Sequence, residues 1–332
     1  MERGVHPLVS IGVPVFNGES GITRCLDGLL AQDYSNLEIL ISDNASTDAT
    51  PAICERYARM DPRVKYWRSE RNRGATWNFN RVVELSSGKY FMWAAHDDER
   101  EPSFVSACVE QLEKSPDAVL CQTHTAVSVE GHDGILYLAH LGSFERATGI
   151  VERYQETLKR FPATALYGLY RSAAMRKTRL FRQHIATDMA FIQELSIHGR
   201  FIEVPKTLFT YRARKTWNTI HDDARAFFVT HGKPWWYLPF AVLFVHHSRR
   251  LMHAPIPLAM KLRLWSVLSL HEARQAMLKT FLKTAGALCP EKWKSKLGHF
   301  VYWRWMHSPN VEIVRADLFF ERVCKPRLGW WR

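Results

Sequence analysis

No stretch of about 18 apolar residues occurs in this 332-residue chain, which excludes an ordinary membrane-spanning helix. The nearest approach, Trp235 to Val245, is about eleven residues long. No Gly-x-Gly-x-x-Gly follows the first apolar run, which counts against a dinucleotide-dependent dehydrogenase. The six cysteines (Cys25, Cys54, Cys108, Cys121, Cys289 and Cys324) show no Cys-x-x-Cys spacing, so neither a thiolate zinc site nor a disulfide framework is expected. They read as reduced, buried thiols. Met1 to Pro7 carries charge and no apolar core, so no signal peptide is expected and a cytoplasmic location is. There is no internal repeat and no low-complexity tract.

What the chain does have is polarised charge. Residues 1–150 carry 14 Lys/Arg against 21 Asp/Glu, a net −7, whereas residues 151–332 carry 31 against 12, a net +19. The basic half implies an anionic partner: a phospholipid surface, a phosphorylated substrate or nucleic acid. Nucleic acid is disfavoured, because no zinc, RNA-recognition or helix-turn-helix signature accompanies the charge.

Apolar runs at Leu8–Val15, Leu37–Ile41, Val64–Trp67 and Tyr90–Ala94 read as buried strands. Between them lie helical patterns at about 20–31, 51–60 and 75–86. This alternation predicts an α/β fold with a mostly parallel, Rossmann-like sheet flanked by helices. Ligands of such sheets bind beyond the carboxyl ends of the strands. Asn17, Asp43 and the pair Asp97/Asp98 each follow a strand, so they are expected on one edge. A helix over 102–114, a strand over 118–123, a hairpin over 125–143 turning at Gly131–Gly134, and strands at 201–204 and 208–212 complete this part. Residues 224–332 read as largely helical, with aromatic and basic residues mixed.

Ala95-His96-Asp97-Asp98-Glu99 follows the strand Tyr90–Ala94. Adjacent carboxylates at the end of a buried strand are costly unless a cation meets them. A divalent metal carrying a diphosphate would do so. A solvated acidic turn is the alternative. Asp43-Asn44 can cap the following helix as well as bind a ligand, and Asn17-Gly18 is also an ordinary turn dipeptide.

Taken in order, Pro14-Val15-Phe16-Asn17-Gly18, Ser42-Asp43-Asn44-Ala45-Ser46-Thr47-Asp48, Asn72-Arg73-Gly74 and His96-Asp97-Asp98 resemble the successive motifs of family 2 glycosyltransferases with the GT-A fold. The resemblance covers residues 8 to about 214 and implies a GT-A domain over 1–216. Its nucleotide-sugar half would be about 1–123 and its acceptor half about 124–216, with a basic, aromatic-rich helical extension over 217–332. Pro14, Phe16 and Asn17 would then line a nucleotide, Asp43 would meet the base, and Arg73 would approach the nucleotide. Asp97 and Asp98 would face the ribose, the diphosphate and a Mg²⁺ or Mn²⁺ ion, with Asp98 the better metal ligand. Family members often carry a third acid where this chain has Ala95.

Downstream, Leu166 to Arg171 resembles the family's acceptor-side segment, and Ala186-Thr187-Asp188 resembles the stretch whose carboxylate opens a helix and acts as catalytic base. Asp188 is that residue and Glu194 the substitute, a helix-terminal cap being the alternative for Asp188. Arg212, Arg214 and His221 are candidate diphosphate or metal contacts. The implied reaction is an inverting transfer from a nucleotide-sugar donor, a UDP-sugar first, to a sugar, glycan or lipid-linked acceptor in envelope or polysaccharide synthesis. The competing reading is a non-catalytic nucleotide- or glycan-binding protein that keeps the fold, and Ala95 favours it. For the extension, the aromatic-basic mixture points to peripheral attachment at the inner membrane face, with packing on the catalytic domain or on a second copy as the alternative.

Overall fold

A computed structural model describes residues 6–129, 134–159, 163–184, 186–213, 239–288 and 311–313. The four expected N-terminal strands form as β1 (Val9–Val15), β2 (Leu37–Asp43), β3 (Val64–Arg68) and β4 (Tyr90–Trp93). Every residue of β1, β2 and β4 is buried, the mark of strands covered on both faces. The intervening helices are α1 (Ile22–Leu30), α2 (Thr50–Met60) and α3 (Ala75–Leu85). β1 pairs in parallel with both β2 and β4, and β2 with β3. Val15 lies opposite Asp43, and Asp43 opposite Arg68, so these strands end together.

After β5 (Glu99–Arg100) and α4 (Phe104–Lys114) come β6 (Ala118–Val129) and β7 (Ile135–Ala139), the expected hairpin, of whose turn only Gly134 is described. Then follow α5 (Ser143–Arg146), α6 (Ile150–Lys159), a 3₁₀ turn (Ala163–Tyr167), β8 (Leu169–Arg171), α7 (Ser172–Met175), α8 (Thr187–His198) and β9 (Arg200–Ala213). The chain beyond β4 adds antiparallel pairings of β8 with β4, of β6 with β7 and β8 and of β5 with β9, while β9 runs parallel to β6. The extension supplies α9 (Pro239–His253), α10 (Leu258–Leu288) and β10 (Val311–Ile313). The main order is β10-β7-β6-β8-β4-β1-β2-β3, with β9 beside β6 and β5 beside β9.

One expectation needs correction. The strands at 201–204 and 208–212 are one strand, β9, whose register skips from Val204 to Thr207 against adjacent residues of β6. Pro205 lies in that irregularity and has no N–H to give to a ladder, so a break in pairing there does not end the strand. In the extension, read as largely helical, the three residues of β10 also pair antiparallel with β7.

The sheet separates two cores. Tyr90 and Met92 of β4 join the core beneath α1, α2 and α4. Phe91 and Trp93 point the other way and pack with α3 and α8, as the period-2 alternation of a strand requires. Trp93 packs edge-on against Phe91, Tyr170 and Phe191 and stacks on Phe181. A third cluster joins Leu251 of α9, Ala254 just after it, and Leu264 and Leu268 of α10 to Tyr154 of α6 and Ile197 of α8. These two C-terminal helices therefore pack on α6 and α8. No described helix is long and apolar enough to cross a membrane.

Candidate active site

The carboxyl ends of β1, β2 and β3 are laced together by their loops. Asn44 N–H donates to Val15 O (2.9 Å), and Asn78 of α3 donates its side-chain amide to Val15 O and Ser42 O (3.2 and 2.9 Å). Asn17 Oδ1 accepts from Thr47 N–H (2.9 Å), while Ser46 Oγ accepts from Asn17 N–H (2.9 Å). Asn44 Oδ1 accepts from Arg73 N–H (2.9 Å), which ties the loop after β2 to that after β3. The side-chain amides and hydroxyls consume loop backbone groups that would otherwise stay unpaired.

Within this frame Pro14 is buried and Phe16 is 43% exposed beyond β1. Asn17 takes a left-handed φ of 51°. Asp43 is fully buried: Oδ1 accepts from Ser46 N–H (2.8 Å), and Oδ2 accepts from Tyr66 Oη–H (2.9 Å) and lies 3.5 Å from Arg68 Nε. It does not cap α2, whose N-cap is Ala49. Burial, followed by the bond to Asp43, pushes the Tyr66 hydroxyl far above its ordinary range. Arg73 stacks its guanidinium on Trp77 at 4.3 Å. Both line an open cleft of about 980 Å³ shared with Trp67, Arg68, Arg71 and Arg81. Tyr66 and Arg68, which carry no motif of their own, govern Asp43 through their place on the strand paired with β2.

The acidic turn divides its pair. Asp97 is half-exposed, but Asp98 is 1% exposed. Asp98 Oδ1 accepts from Arg212 N–H (3.2 Å) and Oδ2 has no hydrogen-bond partner. Burial raises the Asp98 carboxyl to about 8, partly opposed by Arg100 and reinforced by Asp97. Arg100 is itself buried, donates to Trp93 O (2.9 Å) and lies over Phe209 at 4.6 Å. Next to this pair Glu99 accepts from Arg212 (2.6 Å) and Arg24 (2.8 Å). Arg212 therefore faces Glu99 in this structure, while Arg214 and His221 lie outside the described residues. Gly21, preceding α1, fits closely under the turn: a Cβ there would lie 2.5 Å from His96 O.

Asp188 occupies the first turn of α8 and is half-buried. The residue that joins it to the acidic turn is Tyr167. Its hydroxyl is pushed well above the ordinary tyrosine range, first by burial and then by the negative charge of Asp98, with Tyr211, Asp97 and Asp188 contributing. One side chain thus lies within electrostatic reach of all three acids. Tyr167 stacks on Tyr211 (6.0 Å, 29°), so an aromatic pair shares their neighbourhood. Glu194, the substitute base, is elsewhere: it is buried and paired with Arg250 of α9 at 2.5 Å. That removes it from the site, because helical spacing and α9 turn it away from Asp188.

Among the described residues no group of three or more His, Cys, Asp or Glu is arranged to hold a metal ion. Two carboxylates are present, one accessible and one with an orphaned buried oxygen. This donor set fits a Mg²⁺ or Mn²⁺ whose other ligands are diphosphate oxygens and water, the usual manner for such ions, rather than an all-protein cage.

Comparison with known proteins agrees with this architecture. A glycosyltransferase GlyA of Streptococcus pneumoniae is 29% identical over 224 residues, which is 64% of this chain and 31% of that protein. An uncharacterised glycosyltransferase of Haemophilus influenzae is 27% identical over 216 residues, 62% of this chain and 65% of its own. This chain therefore spans less than two thirds of the length of either relative. The crystal structure of S. aureus TarS residues 1–349 in complex with UDP-GlcNAc superposes with a TM-score of 0.59 at 16% identity, covering 89% of this chain and 80% of that one; the fold is thus GT-A. The model of Glycosyl transferase family 2 matches residues 10–185, more than half of the chain, and the protein belongs to that family.

Proposed function

We propose that this protein transfers a sugar from a nucleotide-diphosphate sugar, a UDP-sugar first, to an acceptor hydroxyl with inversion at the anomeric carbon. The observation that carries this reading is that the 3₁₀ turn bearing Tyr167 packs against both β4 and α8, which brings the acidic turn after β4 and the first turn of α8 within electrostatic reach of one side chain. Asp188 is the base: half-exposed at a helix N-terminus, it can take the proton of the acceptor hydroxyl as that oxygen attacks. Phe16 and the Asn17, Asp43 and Arg73 loops hold the nucleotide, with Pro14 buried at the end of β1 two residues before Phe16. Asp97 turns toward the diphosphate, with Asp98 behind it. A bound Mg²⁺ or Mn²⁺ would neutralise charge on the leaving diphosphate. A base on one side and the leaving group on the other give a single displacement, and hence inversion. The solved neighbours in complex with UDP and UDP-GlcNAc support a uridine donor. Participation in polysaccharide or glycolipid synthesis is part of the same proposal, supported by a 36% identical segment of an Escherichia coli chondroitin synthase.

The test is Asp188→Asn. Release of nucleotide diphosphate from a panel of UDP-, dTDP- and GDP-sugars should fall by about a hundredfold or more, as loss of a general base does, while calorimetric donor affinity is retained. Wild-type turnover in the variant removes Asp188 from the base role. The second reading, a binding protein without turnover, draws on Ala95 and on a donor set of two carboxylates. Donor binding with no release of nucleotide diphosphate from any donor–acceptor combination would favour it.

A further inference from the structure

The outer face of α9 and α10 is apolar where a soluble surface would be polar. The inner face of α9 carries His247, Arg250 and Leu251, all buried, as is Ala254 just after the helix. Val245, Arg249 and Met252 lie on the opposite side at i, i+4 and i+7, and all are exposed. On α10, Leu264 and Leu268 are buried, while Leu258, Leu262 and Trp265 form an exposed stripe at the same spacing. Two bonds bring these faces side by side: Trp265 Nε1–H donates to Ser248 Oγ (3.1 Å), and Lys261 Nζ donates to Met252 O (2.7 Å). Five large apolar side chains, each 40–65% exposed, thus share one plateau.

We propose that this plateau docks on an anionic lipid surface. Residues 239–288 hold seven Lys/Arg against one acid, Glu272. Exposed Arg249 and Arg263 flank the apolar side chains. Apolar residues edged by arginine, with tryptophan at their centre, are the composition that partitions into a headgroup layer. The Trp265 indole N–H already has its partner in Ser248, so the ring can enter that layer without stranding a donor. A second copy of the same plateau would bring like charges together. A neutral protein surface would leave the arginines uncompensated. The catalytic domain follows the surface rigidly, because buried Arg250 ties α9 to Glu194 on the helix that bears Asp188.

The experiment is co-sedimentation of the full chain with vesicles of phosphatidylcholine alone or mixed with phosphatidylglycerol, and it requires no turnover. The protein should pellet with the mixed vesicles and not the neutral ones, and added salt should release it. Arg249→Gln and Arg263→Gln should each weaken binding roughly fivefold, the worth of one basic residue at an anionic leaflet. Leu262→Ser/Trp265→Ser should weaken it about tenfold or more with an unchanged thermal midpoint. Equal pelleting with neutral vesicles overturns the proposal, as does full binding by the double variant. A dimer by light scattering that the double variant dissolves also overturns it, because a second copy would then cover the plateau. A lower midpoint with intact binding overturns it too, since the face would then be covered within the chain.

Discussion

Glu194→Leu should destabilise the protein far more than an ordinary helix substitution. The Glu194 and Arg250 side chains are 3% and 4% exposed, and their charged atoms are 2.5 Å apart. Removing the carboxylate leaves a guanidinium buried among α8 and α9 with its charge uncompensated. It also takes the acceptor from Arg179 N–H (3.0 Å). Breaking a buried pair from one side costs about 3–5 kcal/mol, whereas an exposed pair is worth at most about 1 kcal/mol. Arg250→Met, which also forfeits the bond to Leu180 O (2.6 Å), should cost a similar amount. The double variant removes both charges and should cost clearly less than the two single variants together, because each single variant includes the penalty of a stranded ion. Urea unfolding followed by tryptophan fluorescence measures all three. A cost below about 1 kcal/mol for Glu194→Leu, or strict additivity in the double variant, would refute the pairing.

Three further outcomes follow from neighbouring features. Burial, followed by His184, Arg250, His246 and His271, pushes the His247 imidazole down from 6.5 to about 3, so it stays neutral when folded while the unfolded chain takes up a proton below about 6.5. Its contribution to stability is therefore complete above that pH and declines toward pH 3, by about 1.4 kcal/mol per unit. His247→Leu should flatten this part of the acid profile, and an unchanged slope between pH 6.5 and 5 counts against it. Gly21→Ala forces a Cβ into His96 O and should cost about 1–3 kcal/mol and weaken nucleotide-sugar affinity. Gly28→Ala, whose nearest atom would be 3.8 Å away, is the control, and equal donor affinity in the two variants would detach the acidic turn from the donor site. Asp97→Asn should lower donor affinity in the presence of Mn²⁺ and leave the urea midpoint unchanged, whereas Asp98→Asn should move both.

Much of this was legible in the sequence for a simple reason. Strands buried on both faces read as continuous apolar runs, and the polar loops between them stand out by contrast. Leu37 to Ile41 followed by Ser42–Asp48 is such a boundary, and the parallel register then aligns Val15, Asp43 and Arg68 without further information. Contacts between distant segments were not legible. Nothing local marks Arg250 as the partner of Glu194, 56 residues earlier. Similarly, Val311–Ile313 gives no hint that it will extend the edge at β7. Tyr167 lies in a segment that was recognised, but its proximity to acids from two other parts of the chain exists only once β4, β8 and α8 are packed.

The unequal exposure of Asp97 and Asp98 follows from their neighbours. Asp98 immediately precedes β5, whose Arg100 is buried and held inward by Trp93 O and Phe209. Asp98 is drawn in with it, leaving Asp97 on the open side. The preference for Asp98 as metal ligand comes from the family resemblance and from Ala95 at the position of a third acid, and burial of the side chain is not written in those motifs. In the folded protein Asp98 also accepts from Arg212 N–H on β9, while the adjacent Glu99 holds the Arg212 and Arg24 side chains. The same turn therefore fastens the end of β4 to β9 and to α1. Loss of the Asp98 carboxylate consequently disturbs both the join and the chemistry, and Asp97 is the residue at which the two can be separated.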